Sequence, residues 1–584
     1  MSFRRLRGLG AIVLVAWLEM SCGQVYRPVV IPVPTNPPNP SSFHAVFGIS
    51  NNVAFNPGTA MQIDVSGDTN IGVANMGVNP THAAILPNNS RVFVASAGSL
   101  FTGDTDVITS FTPAADSPAA TGLGNPVIIG LPPGSLPVFV NTTQTSAVYV
   151  ANFGTNSVSA INTSSNAVIM TGTAGVQPVA LAETPDALNL YVVNQGDSSV
   201  TDLSPLDLST LATIPLGNQP VWAVSRIDSR RLYVVTQGDG QLHTINTATN
   251  AQIAGSPQPV GGAGANFILY DSVHSRLYVT NPAASAVFVF DASTDPPTPL
   301  LPVGSATGGI SIPAPPPCAG AGIVCSAVAP VSITALPDGS RFYVASSVTA
   351  SPCPDANVGN AGASSSCLIP QLTVFDARSL TVKPMSASSR LSPSLALLGA
   401  PGFAATQYAV PQSSACAPAA SFSPSSTRFR MFTTSSADSS HVYVSICDAG
   451  TVADIDATTS SIATGGSNTP DTLATNISAP LGTCSGASCP TVANITAFSI
   501  TSNVVTFQAV NNFVAGEQVS ISGLSSTAGA GLDGLTLTVL ATGLSGSTFA
   551  CNLGGLADVA LTTDSGTAVP LPFAQSPIFL LAGQ

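Results

Sequence analysis

The tetrapeptide Tyr278-Val279-Thr280-Asn281 has close copies at Tyr149-Val150-Ala151-Asn152, Tyr191-Val192-Val193-Asn194, Tyr233-Val234-Val235-Thr236, Tyr343-Val344-Ala345-Ser346 and Tyr443-Val444-Ser445-Ile446. The step from Tyr149 to Tyr191 and from Tyr191 to Tyr233 is 42 residues, and the next, to Tyr278, is 45. That period is the length of a four-stranded propeller blade, so one structural unit is used many times. The repeat constrains architecture far more than it constrains chemistry.

Residues 189–230 show the unit whole. Leu190 to Val193 reads as a strand, Gln195-Gly196-Asp197 as a turn, Val200 to Leu203 and Leu211 to Leu216 as two further strands, and Gly217-Asn218-Gln219-Pro220 leads into a fourth, Val221 to Val224. Each segment is a period-two or β-branched run separated from the next by turn chemistry, which predicts an all-β chain. These features resemble the YVTN family of β-propeller repeats, whose motif residues 278–281 spell in full. The resemblance spans roughly residues 43–480, with the Gly-x-x-Pro element and the turns Pro185-Asp186 and Pro337-Asp338-Gly339 recurring in phase. It implies an antiparallel propeller of the kind found in bacterial exported or surface proteins, with related folds among lactonases. Catalysis is not implied.

Val92-Phe93-Val94-Ala95 and Val46-Phe47-Gly48-Ile49 occupy the motif position in weaker form, so eight units can be counted, where the family suggests seven as the alternative. The repeat begins near Phe43 at the second strand of a unit, and Ser576-Pro577-Ile578-Phe579-Leu580-Leu581 reads as the missing first strand. The two segments are expected to share one blade, with 571–584 as the closing strand, which hides sheet edges that would otherwise be open. Tyr278 to Tyr343 spans 65 residues and Tyr343 to Tyr443 spans 100, so long loops rich in Pro, Gly, Ser and Cys are expected there. Residues 491–567 lack the repeat. Their six short runs (Ile495 to Ile500, Val504 to Phe507, Gln518 to Ile521, Leu535 to Leu540, Ser547 to Cys551, Val559 to Thr562) predict a small inserted β-sandwich or barrel.

Arg4, Arg5 and Arg7 precede the apolar run Leu9 to Leu18 and then Ser21-Cys22-Gly23, the pattern of a bacterial lipoprotein signal over residues 1–22. Glu19 stands where a lipobox has Leu, so ordinary signal-peptidase cleavage or an uncleaved anchor is the alternative to lipidation of Cys22. A Pro-rich tether over 23–42 follows. Both readings place the protein outside the cytoplasm, at the outer membrane or cell surface as a lipoprotein, or else periplasmic or secreted. In that setting, cysteines close together in loops read as disulfides: Cys318 with Cys325, Cys353 with Cys367, Cys484 with Cys489, and by exclusion Cys416 with Cys447, leaving Cys551 unpaired. Spacing alone leaves the connectivity open.

With 15 basic against 28 acidic residues the net charge is −13, which repels a phosphate backbone and disfavours nucleic acid as a partner. The five histidines (His44, His82, His243, His274, His441) fall in different units without ligand spacing, so no metal or cofactor is expected. Gly196-Asp197 and Gly238-Asp239-Gly240 read as turns rather than calcium loops. Aligning the first strands puts Phe579, His82, Phe139, Ala180, Trp222, Phe267, Ser332 and Phe432 at one equivalent position. Packing filler is the preferred reading, a ring of stacking surfaces the other, and Arg226, Asn266 and Arg430 are candidates for a channel mouth. No catalytic constellation stands out. The leading function is a non-catalytic scaffold that binds a protein or glycan at the cell envelope; the alternative is a hydrolase of lactonase type.

Overall fold

The computed structural model describes residues 45–51, 58–65, 67–98, 106–114, 123–124, 126–301, 308–355, 358, 366–383, 395–398, 407–419, 421–424, 426–457, 471–479, 491–513, 518–540, 542–553, 557–570 and 576–583. Among these residues the regular structure is β-strand, with only short 3-10 turns besides. Within the 189–230 unit the strands are Leu190–Asn194, Ser199–Leu203, Thr210–Pro215 and Pro220–Ser225, each within a residue or two of the sequence expectation.

The strands of the described residues assemble into nine antiparallel sheets, eight of which follow the repeat. Numbered by their place in the chain, sheet 4 is Pro178–Glu183, Leu190–Asn194, Ser199–Leu203 and Thr210–Pro215 in spatial as well as sequence order. The first strands of sheets 2 to 8 are Pro80–Ile85, Pro137–Asn141, Pro178–Glu183, Pro220–Ser225, Phe267–Asp271, Ala329–Ala335 and Met431–Ser435. Each touches the next, and both Met431–Ser435 and Pro80–Ile85 touch Ser576–Ala582. The first strands thus close a ring with the sheets radiating from it. This arrangement is a β-propeller.

Burial explains why the motif is apolar at successive positions rather than alternately. The second strand of a sheet is covered on both faces by neighbouring sheets, so in Leu190–Asn194 every residue is buried, whereas the outermost strand Ala167–Thr173 alternates exposed with half-buried residues. The motif tyrosines Tyr149, Tyr191, Tyr233, Tyr278, Tyr343 and Tyr443 are among the largest fully buried side chains.

Sheet 1 is built from both ends of the described chain: Ala45–Asn51 lies between Thr59–Asp64 and Ser576–Ala582, pairing Phe47 with Leu581, Gly48 with Leu580 and Ile49 with Phe579. Gly48 stands where the motif otherwise has Val; a Cβ there would meet Met61 Cε at 2.7 Å, so the Met61 side chain occupies the space that the glycine leaves. The ninth sheet holds Ala493–Thr501, Val504–Ala509, Gln518–Ser522, Thr536–Thr538, Thr548–Asn552 and Val559–Pro570. Its edge strands meet through a bridge between Val539 and Cys551, which curls the sheet on itself, and its buried cluster around Phe498, Phe507 and Phe549 draws only on residues 493–568.

Deleting the chain after Pro570 removes the burial of Ile578, Phe579, Leu580 and Leu581, worth about 2 kcal/mol each, and opens the edge of Ala45–Asn51. Thermal unfolding of this truncation, compared with deletion of an equal length of the Pro-rich segment 27–42, should show the C-terminal deletion melting far lower. Equal melting temperatures would contradict a ring that depends on its terminal pairing.

Candidate functional site: the plugged centre of the ring

Four first strands begin with Pro80, Pro137, Pro178 or Pro220 and a fifth has Pro330 as its second residue, and in each the register slips between that proline and the residue two positions on. A bulge takes one residue out of the ladder and leaves its backbone groups to find other partners. Side chains supply them: Asn266 Nδ2 donates to Val331 O at 3.2 Å, and the Arg428 guanidinium donates to Val179 O at 2.7 Å and to Val221 O at 2.6 Å.

The aligned position lies inside this collar. His82 stacks on Phe139 at 3.8 Å between ring centroids and meets Phe579 at 4.4 Å; Trp222 packs on Phe139 at 5.1 Å and on Phe267 at 5.0 Å; Phe432 closes the set against Phe579 at 4.4 Å. The packing reading of these residues is therefore the correct one. They fill the centre against one another and present no open platform. Val140 N–H donates to His82 Nδ1 at 3.4 Å, and burial, followed by the positive charge of Arg428, pushes the His82 pKa well below its usual value. His82 is a neutral packing ring.

One side of the aromatic layer is capped by the described residues 412–419, 421–424 and 426–430, part of the long step between Tyr343 and Tyr443. Cys416 is bonded to Cys447, Ser413 N–H donates to Asp448 Oδ1 at 2.7 Å, and Arg430 Nε lies 2.9 Å from Asp448 Oδ2. Burial pushes the Asp448 pKa up against the opposing pull of Arg430. Phe429 joins the aromatic layer at 5.0 Å from Phe432 and 5.6 Å from Trp222. Arg428 lies over Trp222 at 4.6 Å and over Phe422 at 4.8 Å, a cation between two π faces. Across the ring, Gln195 Nε2 donates to Ser421 Oγ at 2.8 Å. Burial draws the Arg428 pKa down to about 9, which keeps it charged at neutral pH.

Between this cap and sheets 5 to 7 is a cavity of about 330 Å³. Its walls include Phe422, Phe429, Arg428, Arg430, Gln237 and Asn266, and among the described lining residues none is Asp, Glu or His. The Gln237 side-chain amide makes no hydrogen bond with another described residue, so its donor and acceptor are available to a guest. The arrangement can hold a small polar or anionic group against aromatic faces.

Asn266 and Arg430, read as channel-mouth candidates, do reach this cavity. Arg226 does not; it pairs with Asp228 at 2.8 Å and donates to Ala292 O at 3.2 Å. Asp197 accepts from Val176 N–H at 2.9 Å and Asp239 from Asn218 N–H at 3.1 Å, so the Gly-Asp elements act as turn residues that tie down neighbouring loops. Arg428, Phe422 and Phe429 were not singled out from sequence, because they lie in an aperiodic insertion where only length and Cys416 gave a signal. Cys318–Cys325 and Cys353–Cys367 are bonded as expected; Cys551 is buried and unpaired, its thiol pushed up to about 12 by burial. Cys22, Cys484 and Cys489 lie outside the described residues. Three disulfides are consistent with an exported protein. No described helix is long and apolar enough to cross a membrane.

Because the folded pKa of His82 is below the ordinary imidazole value of 6.5, the unfolded chain protonates first and stability erodes as pH falls below that value. His82→Phe keeps the ring stack and removes the titration. Its melting temperature should fall less than that of the wild type between about pH 7.5 and about pH 5. An equal fall in both would show that His82 is not held neutral in the fold.

No protein-family model matches the chain, and no curated protein sequence matches it. Among solved structures, it is similar to the periplasmic gluconolactonase PpgL of Pseudomonas aeruginosa, at 15% identity and TM-score 0.41 over 58% of this chain and 94% of that one. It is similar also to a putative 6-phosphogluconolactonase of Bacteroides fragilis (13%, TM-score 0.40, 59% and 95%) and to hydrazine synthase of Kuenenia stuttgartiensis (14%, TM-score 0.38, 55% and 77%). At these identities and scores neither fold nor chemistry transfers, and the propeller assignment rests on the closed ring of first strands described above.

Proposed function

We propose that this chain is an exported, non-catalytic propeller of the YVTN kind that binds a saccharide group at the cell envelope. The carrying observation is the lining of the 330 Å³ cavity, which combines aromatic rings, two guanidinium groups and planar amides without a carboxylate or imidazole to act as acid or base. A ring sugar fits this chemistry: its apolar face stacks on an aromatic ring, its hydroxyls meet Gln237 and Asn266, and an acidic substituent would face Arg428 or Arg430. The eight repeat-bearing sheets are read as eight blades, the first closed by the C-terminal strand, with residues 491–567 as an inserted module. Lipid on Cys22 and the Pro-rich tether would hold the propeller off the membrane.

Screening the purified mature protein on a glycan array and against a panel of lactones tests the reading. Saccharide binding without turnover is expected, and Gln237→Ala should weaken it about tenfold or more, near 1.4 kcal/mol, with an unchanged melting temperature. Lactone turnover would replace this reading with a propeller hydrolase, and recognition of protein alone would remove the saccharide. Mass spectrometry of the N-terminus should find diacylglycerol on Cys22; a free N-terminus downstream of that residue would refute the anchor.

A further inference from the structure

The junctions between sheets carry a recurrent polar contact. The residue two positions before the motif aromatic reaches the next sheet near the turn between its third and fourth strands: Arg91 donates to Asn166 Oδ1, Arg231 pairs with Asp295, and Arg341 pairs with Asp471. Between sheets 4 and 5 the contact is a carboxylate held by two amides. Asp202, opposite Tyr191 in the register, accepts through Oδ2 from Asn189 Nδ2 and from Asn250 Nδ2, both at 2.7 Å, and Tyr191 Oη donates to Asn250 Oδ1 at 2.7 Å. Asn250 is in the left-handed conformation, φ 52°, at the turn.

The seam where sheet 8 meets sheet 1 has the same geometry with different chemistry. Asp454 is opposite Tyr443, as Asp202 is opposite Tyr191; His441 holds the place of Asn189; and Asp68, φ 49°, holds the turn position of Asn250. His441 Nδ1 lies 2.9 Å from Asp454 Oδ1 and 3.7 Å from Asp68 Oδ1. Replacing the turn amide by a carboxylate removes the donor that the other node uses. Asp454 is 0% exposed and its Oδ2 has no hydrogen-bond partner, and the Tyr443 hydroxyl, equally buried, is also unpartnered. Two carboxylates therefore share a partly desolvated pocket beside one imidazole. Asp64, Asp438 and Asp456 add negative charge nearby.

We propose that Asp68, His441 and Asp454 form a divalent-cation site of the zinc class that clasps the closing seam of the ring. One oxygen from each carboxylate and one imidazole nitrogen lie within 4.8 Å of one another. The 2.9 and 3.7 Å separations bracket the roughly 3.4 Å that tetrahedral bonds of about 2.1 Å impose. One nitrogen and two oxygens suit a first-row transition ion, with water completing the shell. The ion takes the Nδ1 lone pair, so the ring proton moves to Nε2, and any proton on Asp68 is released. Because Asp68 belongs to sheet 1 and the other two ligands to sheet 8, only the closed ring presents all three, and binding is linked to closure. The histidine spacing in the sequence argued against a metal because these ligands belong to different repeats.

The test uses untagged full-length protein stripped with EDTA, titrated with zinc chloride in a calorimeter and then melted with and without zinc. One zinc per chain and a higher melting temperature in its presence are expected. The variant Asp68→Asn/His441→Asn rebuilds the amide–carboxylate–amide node seen at 189, 202 and 250; it should fold, lose zinc binding and melt independently of zinc. If that variant does not fold, Asp68→Asn alone should lower zinc affinity at least tenfold. A stripped wild type that takes up no zinc, or a variant that binds it as the wild type does, overturns the proposal.

Discussion

The packing of one sheet face on the next is the interaction on which the rest of this molecule depends. A strand such as Leu190–Asn194 has no solvent side: Tyr191 and Val193 point one way, Leu190 and Val192 the other, and all are buried. Each such side chain is worth about 1.5–3 kcal/mol when fully covered, yet the cover comes only from neighbouring sheets. A sheet in isolation would expose both faces, and an open row would leave a face bare at each end. Ring closure follows from that constraint, and the pairing of Ile49 with Phe579 is where the chain meets it.

Closure also creates the central problem of a propeller, a channel down the axis. Here it is filled. The repeated bulge after the first-strand prolines leaves carbonyls such as those of Val179 and Val221 outside the ladder, while Trp222, next to Val221, adds an aromatic ring to the middle. A cap arriving from a distant part of the sequence brings Arg428, which satisfies both carbonyls and lies over Trp222. A positive charge among aromatic rings would be costly without such partners; with two carbonyl acceptors and two π faces it becomes a rivet. The cavity beside the cap is a consequence of where this rivet holds the loop.

Variation at the sheet junctions shows how one geometry can hold different chemistry. At some junctions arginine pairs with a carboxylate, and at another a carboxylate is held between two amide donors. At the seam between sheets 8 and 1 the same three positions are His441, Asp454 and Asp68, so neither amide donor is present. The exchange of both amides for an imidazole and a second carboxylate falls where the ring shuts, which places the unusual electrostatics at the point of greatest topological consequence.

Much of the architecture was legible in the chain. The 42-residue step, the Tyr-Val motif and the Gly-x-x-Pro element located strands to within a residue or two, since strand register and turn chemistry are local and repeat with the period. The aromatic position on the first strands was legible for the same reason, as were the short-range disulfides. Arg428, Phe422 and Phe429 were not, because an aperiodic insertion carries no phase to align and its path is set by the disulfide from Cys416 to Cys447 and by the carbonyls it meets. The grouping of Asp68 with His441 and Asp454 was equally hidden. Sequence determined the repeating unit through local periodicity; only the tertiary structure decided which residues meet at the seam, because closing a ring brings together positions whose separation along the chain bears no relation to their distance in space.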